Sequence, residues 1–299
     1  MKKVRKLLFQ TIRCWKKDGA LTLGAALSFY TITALPALLL GIYALASFFL
    51  DKSEVQHQLI GSATLLFGEK GMDVVKQILS NVPSSQTVTV ATFFSVLFLL
   101  FTASGIFGQL QSSLNKIWDV EPKPKQGIKR FFFNKALLFL MVLLLGILFL
   151  ISIIFESVFA FGSHFLSYFV VLPFDILQPL SMVVSFLLLI LIFTLLFYLL
   201  PDVKISWKDS ALGAVFTTIL FTLGKFLIGF YLSHTTLASS YGAAGSVILL
   251  LLWIYYSSQV LFFGAEFTQN YANTYGSKIK PTKNAYRTTS WWQRLFYKR

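Results

Sequence analysis

The chain has 299 residues, of which 56% are hydrophobic and only 13% charged, with a mean hydropathy of +0.71. A soluble globular domain carries about 25% charged residues, so this composition excludes an ordinary soluble fold. The formal net charge of +14 would suggest nucleic acid in a soluble protein, but here the basic residues flank long apolar runs. They read as anchors against anionic lipid head groups, each worth about 1 kcal/mol near the surface, and no nucleic-acid partner is expected.

The first element, within residues 1–18, is basic and amphipathic. Val4, Leu7, Leu8, Ile12 and Trp15 recur at helical spacing against Lys and Arg, as expected of a helix lying on the inner leaflet. The apolar run that follows, about 20–50, is far longer than the h-region of a secretory signal and reads as a first membrane span. As a helix it would measure about 46 Å, more than a bilayer core, and Pro36 within it predicts a kink or tilt.

Segment 53–82 is amphipathic. Val55, Leu59, Ala63 and Phe67 form one stripe and Met72, Val75, Ile78, Leu79 and Val82 another, predicting two short outer helices separated near Gly68–Gly71. Further spans follow at about 88–110, 134–155, 178–200, 209–232 and 243–268. Each has the roughly 20 apolar residues needed to cross a hydrocarbon core of about 30 Å. Continuous apolar runs of this length exclude membrane β-strands. Helices then satisfy the backbone within lipid. Residues 273–299 form a basic tail. The fold class expected is an all-α membrane protein, a single polytopic membrane domain over 1–299 with six transmembrane helices and amphipathic interfacial helices.

Charge sets the orientation. Segments 1–18, 111–135, 201–208 and 278–299 hold 22 of the 26 Lys and Arg residues, and the loops between hold Lys52, Lys70 and Lys76. Short loops retained in the cytoplasm carry such an excess, so both termini are expected there. Trp15, Trp118, Trp207, Trp291 and Trp292 fall on that same side, where indole suits the interface.

The remaining cation is Lys225, inside the fifth span. An ionisable group within a span is costly and is a functional candidate, with snorkelling to the outer interface as the structural alternative. Glu266, near the inner end of the sixth span, lies about 20 Å from it in height. Glu156 or Asp175 match Lys225 better in depth. Glu266 is expected at the inner mouth, facing Gln269 or the basic loops, and a proton or cation role is open to it because buried carboxylates can titrate near neutrality. Gln111 and Asn115, four residues apart, share a helix face and suit either a substrate path or interhelical hydrogen bonds. Gly24 and Ser28, and Tyr241, Gly242 and Gly245, are candidates for close helix packing or for lining a cavity.

No catalytic constellation is visible. His57, His164 and His234 fall in different loops, no phosphate-cradling or nucleophile motif occurs, and the lone Cys14 permits neither an intrachain disulfide nor a Cys-based metal site. No metal, cofactor or enzymatic activity is expected.

Three stretches, 21-LTLGAALSFYTITALPALLL-40, 114-LNKIWDVEP-122 and 241-YGAAGSVILLLLWIYYSSQVLFFGAEFTQNYA-272, resemble the YihY/BrkB family. The resemblance implies a bacterial cytoplasmic-membrane protein with six helices and an envelope-related or transport role. Some members of that family carry the label ribonuclease BN, against which stand the short basic cytoplasmic segments and the missing carboxylate or His cluster. The expected function is passive or ion-coupled movement of an amphiphilic, lipid-like or anionic molecule. The alternative is a non-transporting scaffold for envelope-assembly proteins, docked through 53–82 and the basic termini. The expected partners are the bilayer and the anionic head groups of its inner leaflet.

Overall fold

In the computed structural model of the chain the described residues are 2–47, 51–80, 88–123, 140, 144, 147, 177–234 and 244–288. Among them are helices α1 (Lys2–Lys17), α2 (Ala20–Ala46), α3 (Lys52–Ser80), α4 (Val88–Ile117), α5 (Leu177–Leu199), α6 (Trp207–His234) and α7 (Ala244–Thr274). Four short strands join them: β1 (Val120–Pro122), β2 (Val203–Lys204), β3 (Lys280–Pro281) and β4 (Ala285–Arg287). Helices α2, α4, α5, α6 and α7 occupy five of the six expected spans. The other, 134–155, falls mostly outside the described residues, with Leu140, Leu144 and Ile147 helical.

Among the described residues three stretches are long and apolar enough to cross a membrane, Ala20–Ala44, Trp207–Ile228 and Val247–Thr274, and Val183–Leu199 is a shorter apolar helix. Their surfaces are inverted relative to a soluble protein. Ile219, Leu223, Phe226, Leu227 and Phe230 of α6 are all exposed, while Ser210, Thr217 and Thr218 of the same helix are buried. Exposed apolar area on that scale marks a membrane or binding surface. The buried hydroxyls bond back to their own helices: Ser28 to Gly24 O at 2.7 Å, Thr217 to Gly213 O at 2.8 Å, Ser258 to Ile254 O at 2.8 Å and Thr268 to Gly264 O at 2.7 Å. Each of these four hydroxyls is thereby satisfied locally where water is absent, whereas the buried Ser210 Oγ has no such partner.

Helix α7 is central, packing against α1, α2, α3, α4 and α6. Its antiparallel contact with α6 is built on small residues placed reciprocally. A Cβ on Gly213 would overlap the Thr268 side chain, one on Gly264 would overlap Thr217, and one on Gly224 would overlap the Tyr256 hydroxyl. Only glycine admits so close an approach, which maximises dispersion contact where no hydrophobic effect drives helices together. Against α2 the same device recurs, with Gly24 accommodating the Gln259 amide.

Three expectations change. Segment 53–82 does not break at Gly68–Gly71, because α3 is helical from Lys52 to Ser80. Val55, Leu59, Val75 and Leu79 join one buried cluster with Ala46 of α2, and such packing outweighs a glycine penalty of roughly 1 kcal/mol per residue. The basic tail, expected to begin at 273, instead follows α7 from 275 and carries two strands. Strand β3 pairs antiparallel with β2, and β4 with β1, so residues 280–287 staple the α5–α6 loop and the segment after α4, and the fold is not purely helical. Trp118, finally, is no interfacial anchor. It is 1% exposed, packs on Phe197 and donates its indole N–H to Ala265 O at 3.0 Å.

The basic segments thus converge at one end of the bundle. The α1–α2 corner, the end of α4, the α5–α6 loop and the chain after α7 are all in contact there. Asn115 ties two of them, donating its amide to Asp202 Oδ2 at 2.9 Å and accepting from Asp202 N at 2.8 Å. Asp209, in the first turn of α6, accepts from Ser277 N and Ser277 Oγ at 2.9 and 2.7 Å. A carboxylate in that position also suits the positive end of the helix dipole.

Candidate functional site

The carboxyl-bearing end of α7 is where the chemistry gathers. Glu266 is fully buried, and neither carboxylate oxygen meets a hydrogen-bond donor. The side chain it faces is Asp18, another carboxyl. With both ionised each offers only acceptors, so their contact is a hydrogen bond only when one of the pair carries a proton. Two carboxylates in contact in a water-poor site cannot both stay charged without a large repulsion, as in other proton-sharing dyads.

Local sequence explains how Asp18 arrives there. Helix α1 buries Leu7 and Thr11 and half-buries Cys14, Trp15 and Asp18, while Arg5, Lys6, Arg13, Lys16 and Lys17 are exposed. Gly19, at φ +70°, then turns the chain into α2, a conformation that glycine adopts without steric cost. The Gly19 carbonyl accepts from Thr22 N at 2.9 Å and Leu23 N at 3.2 Å, so the corner also starts the next helix.

Asp119 completes the group. It ends α4 with φ 53°, held by Asp119 N to Lys116 O at 3.2 Å and by Thr288 N to Asp119 O at 2.8 Å. Asp and Asn are the side chains that best tolerate such a left-handed cap after glycine. Its carboxyl accepts a hydrogen bond from Gln269, with Lys17 and Arg287 nearby. Gln269 therefore serves Asp119, and Glu266 faces Asp18 rather than Gln269 or the basic loops.

Burial sets the electrostatics. It raises the Asp18 carboxyl above the usual Asp range, opposed by the hydrogen bond from Glu266 and the Lys17 charge. It raises Asp119 likewise, opposed by Lys17, Arg287 and the Gln269 hydrogen bond. The Cys14 thiol is raised first by burial and next by the Glu266 charge; its Sγ lies 3.9 Å from Asn270 Oδ1. Among the described residues no His, Cys, Asp and Glu group has the geometry to hold a metal ion.

The other candidates sit apart from this cluster. Lys225 is half-buried on α6 and has no hydrogen-bond or ion-pair partner among the described residues. The α6–α7 register, with Gly213 facing Thr268 and Gly224 facing Tyr256, puts Glu266 level with Val215. Lys225 is ten residues further along, about 15 Å away at 1.5 Å per residue. Gln111 is half-buried, whereas Asn115 spends both amide atoms on Asp202. Gly24 forms the close α2–α7 contact, Ser28 donates to Gly24 O within α2, and Gly245 is buried at the start of α7. Glu156, Asp175, Tyr241 and Gly242 lie outside the described residues.

Asp18 and Asp119 were hidden in the sequence because each sits among lysines and looks solvated. The available signal was that both stand at helix ends, beside Gly19 and after Trp118. Gln259 was equally unmarked. Its amide donates to Ala20 O at 3.3 Å, while its Oε1 is buried without a partner.

The family model described as virulence factor BrkB matches residues 11–289. A UPF0761 membrane protein of Mannheimia succiniciproducens is 30% identical over 266 residues, covering 88% of each chain. One from Actinobacillus pleuropneumoniae is 28% identical over 275 residues, 91% of this chain and 95% of that one. One from Pseudomonas aeruginosa is 32% identical over 187 residues, 61% of this chain and 43% of that protein. No solved structure matches. With a family match that runs nearly end to end, and helices that turn apolar side chains outward and polar ones inward, the chain belongs to the BrkB family of membrane proteins.

Proposed function

We propose that the chain is an ion-coupled transporter or translocase of the bacterial cytoplasmic membrane, moving an amphiphilic, lipid-like or anionic molecule. The coupling ion in this reading is the proton. The observation that carries it is Glu266, a fully buried carboxyl within an apolar helix that lacks any donor. Such a group is costly to keep and recurs where protons are bound and released during transport. Lys225, about 15 Å further along the bundle, supplies a positive charge suited to an anionic head group. The convergence of basic segments at the Glu266 end supports placing that end, and both termini, on the cytoplasmic side.

The test is reconstitution into liposomes with a fluorescent anionic phospholipid or other lipid-like anion, with and without an imposed proton gradient. Gradient-dependent movement that Glu266→Gln abolishes is the expected result. Movement indifferent to proton and sodium gradients would refute the coupling. Failure to move any anionic or lipid-like probe would sink the transport reading and favour the scaffold instead.

A further inference from the structure

We propose that Asp18 and Glu266 together bind a single proton and that this proton latches α1 onto α7. The inference deepens the reading of Glu266 as a proton-bearing group and does not depend on the identity of any cargo. Three observations carry it. Glu266 is 0% exposed, both its oxygens lack a donor, and its neighbour across the contact is Asp18, the residue that directly follows α1. Helix α1 is tethered to α2 through Gly19, whose left-handed φ of +70° marks the one sharp corner between them. The outward face of α1 carries Arg5, Lys6, Arg13, Lys16 and Lys17 beside exposed Phe9 and Ile12, a surface that suits an anionic lipid interface whether or not the helix is docked.

The groups around Glu266 come from each element packed on this end of α7. Helix α1 brings Cys14, Lys17 and Asp18; the end of α4 brings Lys116 and Asp119; β4 brings Arg287; α7 itself adds the neutral Gln269 and Asn270. Helices α2 and α6 present Gly24, Gly213 and Thr217 at their α7 contacts, none titratable. Lys17 and Arg287 lie by Asp119, whose own carboxylate balances part of their charge. Lys17 and Lys116 also act on Asp18, and Lys17 on Glu266, but neither Glu266 oxygen has a hydrogen-bond donor, so proton loss leaves two carboxylates in contact with only partial compensation.

The sign follows from proton counting. Docked α1 holds one proton that undocked α1, with Asp18 in water, releases. The docked state is favoured at low pH and its population falls by up to about tenfold per pH unit once the pair titrates. Alkalinisation on this side of the membrane would thus free α1 and open a path to the end of α7.

Cys14 is the chain's single cysteine and lies on the inward face of α1, so its alkylation reports undocking. In the full-length protein in detergent, the rate is normalised to the thiolate fraction read from ultraviolet absorbance in the same sample. The normalised rate is expected to climb between pH 5 and 9 in the native chain and to stay flat in Glu266→Gln, whose amide donates to Asp18 at every pH. Asp18→Asn provides the same neutral donor from the other side and guards against a folding defect in the first variant. Normalised profiles that run parallel in the native chain and both variants would overturn the latch. Because the assay uses no cargo and no gradient, that result would leave proton-driven movement standing, and failed movement would leave the labelling result standing.

Discussion

Gly264 of α7 meets Thr217 of α6 so closely that a methyl group on the glycine would sit 2.8 Å from the threonine Cβ and overlap its hydroxyl. Gly213 and Thr268 repeat the arrangement one turn away, with the roles of the two helices exchanged. Each threonine hydroxyl bonds back to the glycine of its own helix, so one G-x-x-x-T motif per helix makes a self-complementary joint.

Gly264→Ala should force α6 and α7 apart and cost about 1–3 kcal/mol, the usual range for overpacking. Adding Thr217→Ala removes the overlapping hydroxyl and should recover part of the loss. Heat-resistant folded fraction in detergent measures both, and a harmless Gly264→Ala would show that the joint is looser than described.

Asn115→Leu should destabilise the end of the bundle where the basic segments meet by about 1–3 kcal/mol, since it leaves Asp202 without the donor and acceptor that hold it and disconnects α4 from the α5–α6 loop. Enhanced proteolysis between residues 200 and 208 is the local readout. Unchanged cleavage there, with unchanged global stability, would contradict the role assigned to this side chain.

Asp119 predicts a pH dependence. Its native carboxyl titrates above the ordinary value of 3.8 because burial outweighs Lys17, Arg287 and Gln269. The folded state therefore binds more protons than the unfolded one from about pH 4 up to the raised native value, and stability falls as pH rises through that window. Asp119→Asn keeps a side chain suited to φ 53° and removes the titration. The melting temperature of the variant relative to the native chain should rise from pH 4 to pH 8, and a difference that is constant with pH would rule the effect out.

Lys225→Met should leave the fold intact and remove the positive charge from α6. If that charge meets an anionic cargo, transport in the liposome assay falls by about tenfold, the loss of one favourable charge contact. An undiminished rate would reassign Lys225 to snorkelling.

The comparison of Glu266 with Trp118 shows how far sequence reasoning reaches. Span lengths and charge alone put both at the same end as the basic segments, and there the structure has them. Their surroundings were misjudged, because depth along a helix says nothing about which helix stands opposite. Trp118 has the composition of an interfacial anchor, yet its indole is spent on Ala265 O. Glu266 was expected to face Gln269 or the basic loops, and the side chain it meets is an acid 248 positions earlier in the chain, with Lys17 also acting on it.

Composition, apolar run length and the spacing of Lys and Arg were sufficient to determine a helical membrane protein and the grouping of its described basic segments. Those properties follow from transfer free energies summed along the chain, which are local and additive. Tertiary structure alone decided that Asp18 meets Glu266, that Gly264 receives Thr217, and that the chain after α7 folds back as β3 and β4. These depend on the register between helices and on satisfying backbone groups across long separations, for which a single sequence carries no local signal.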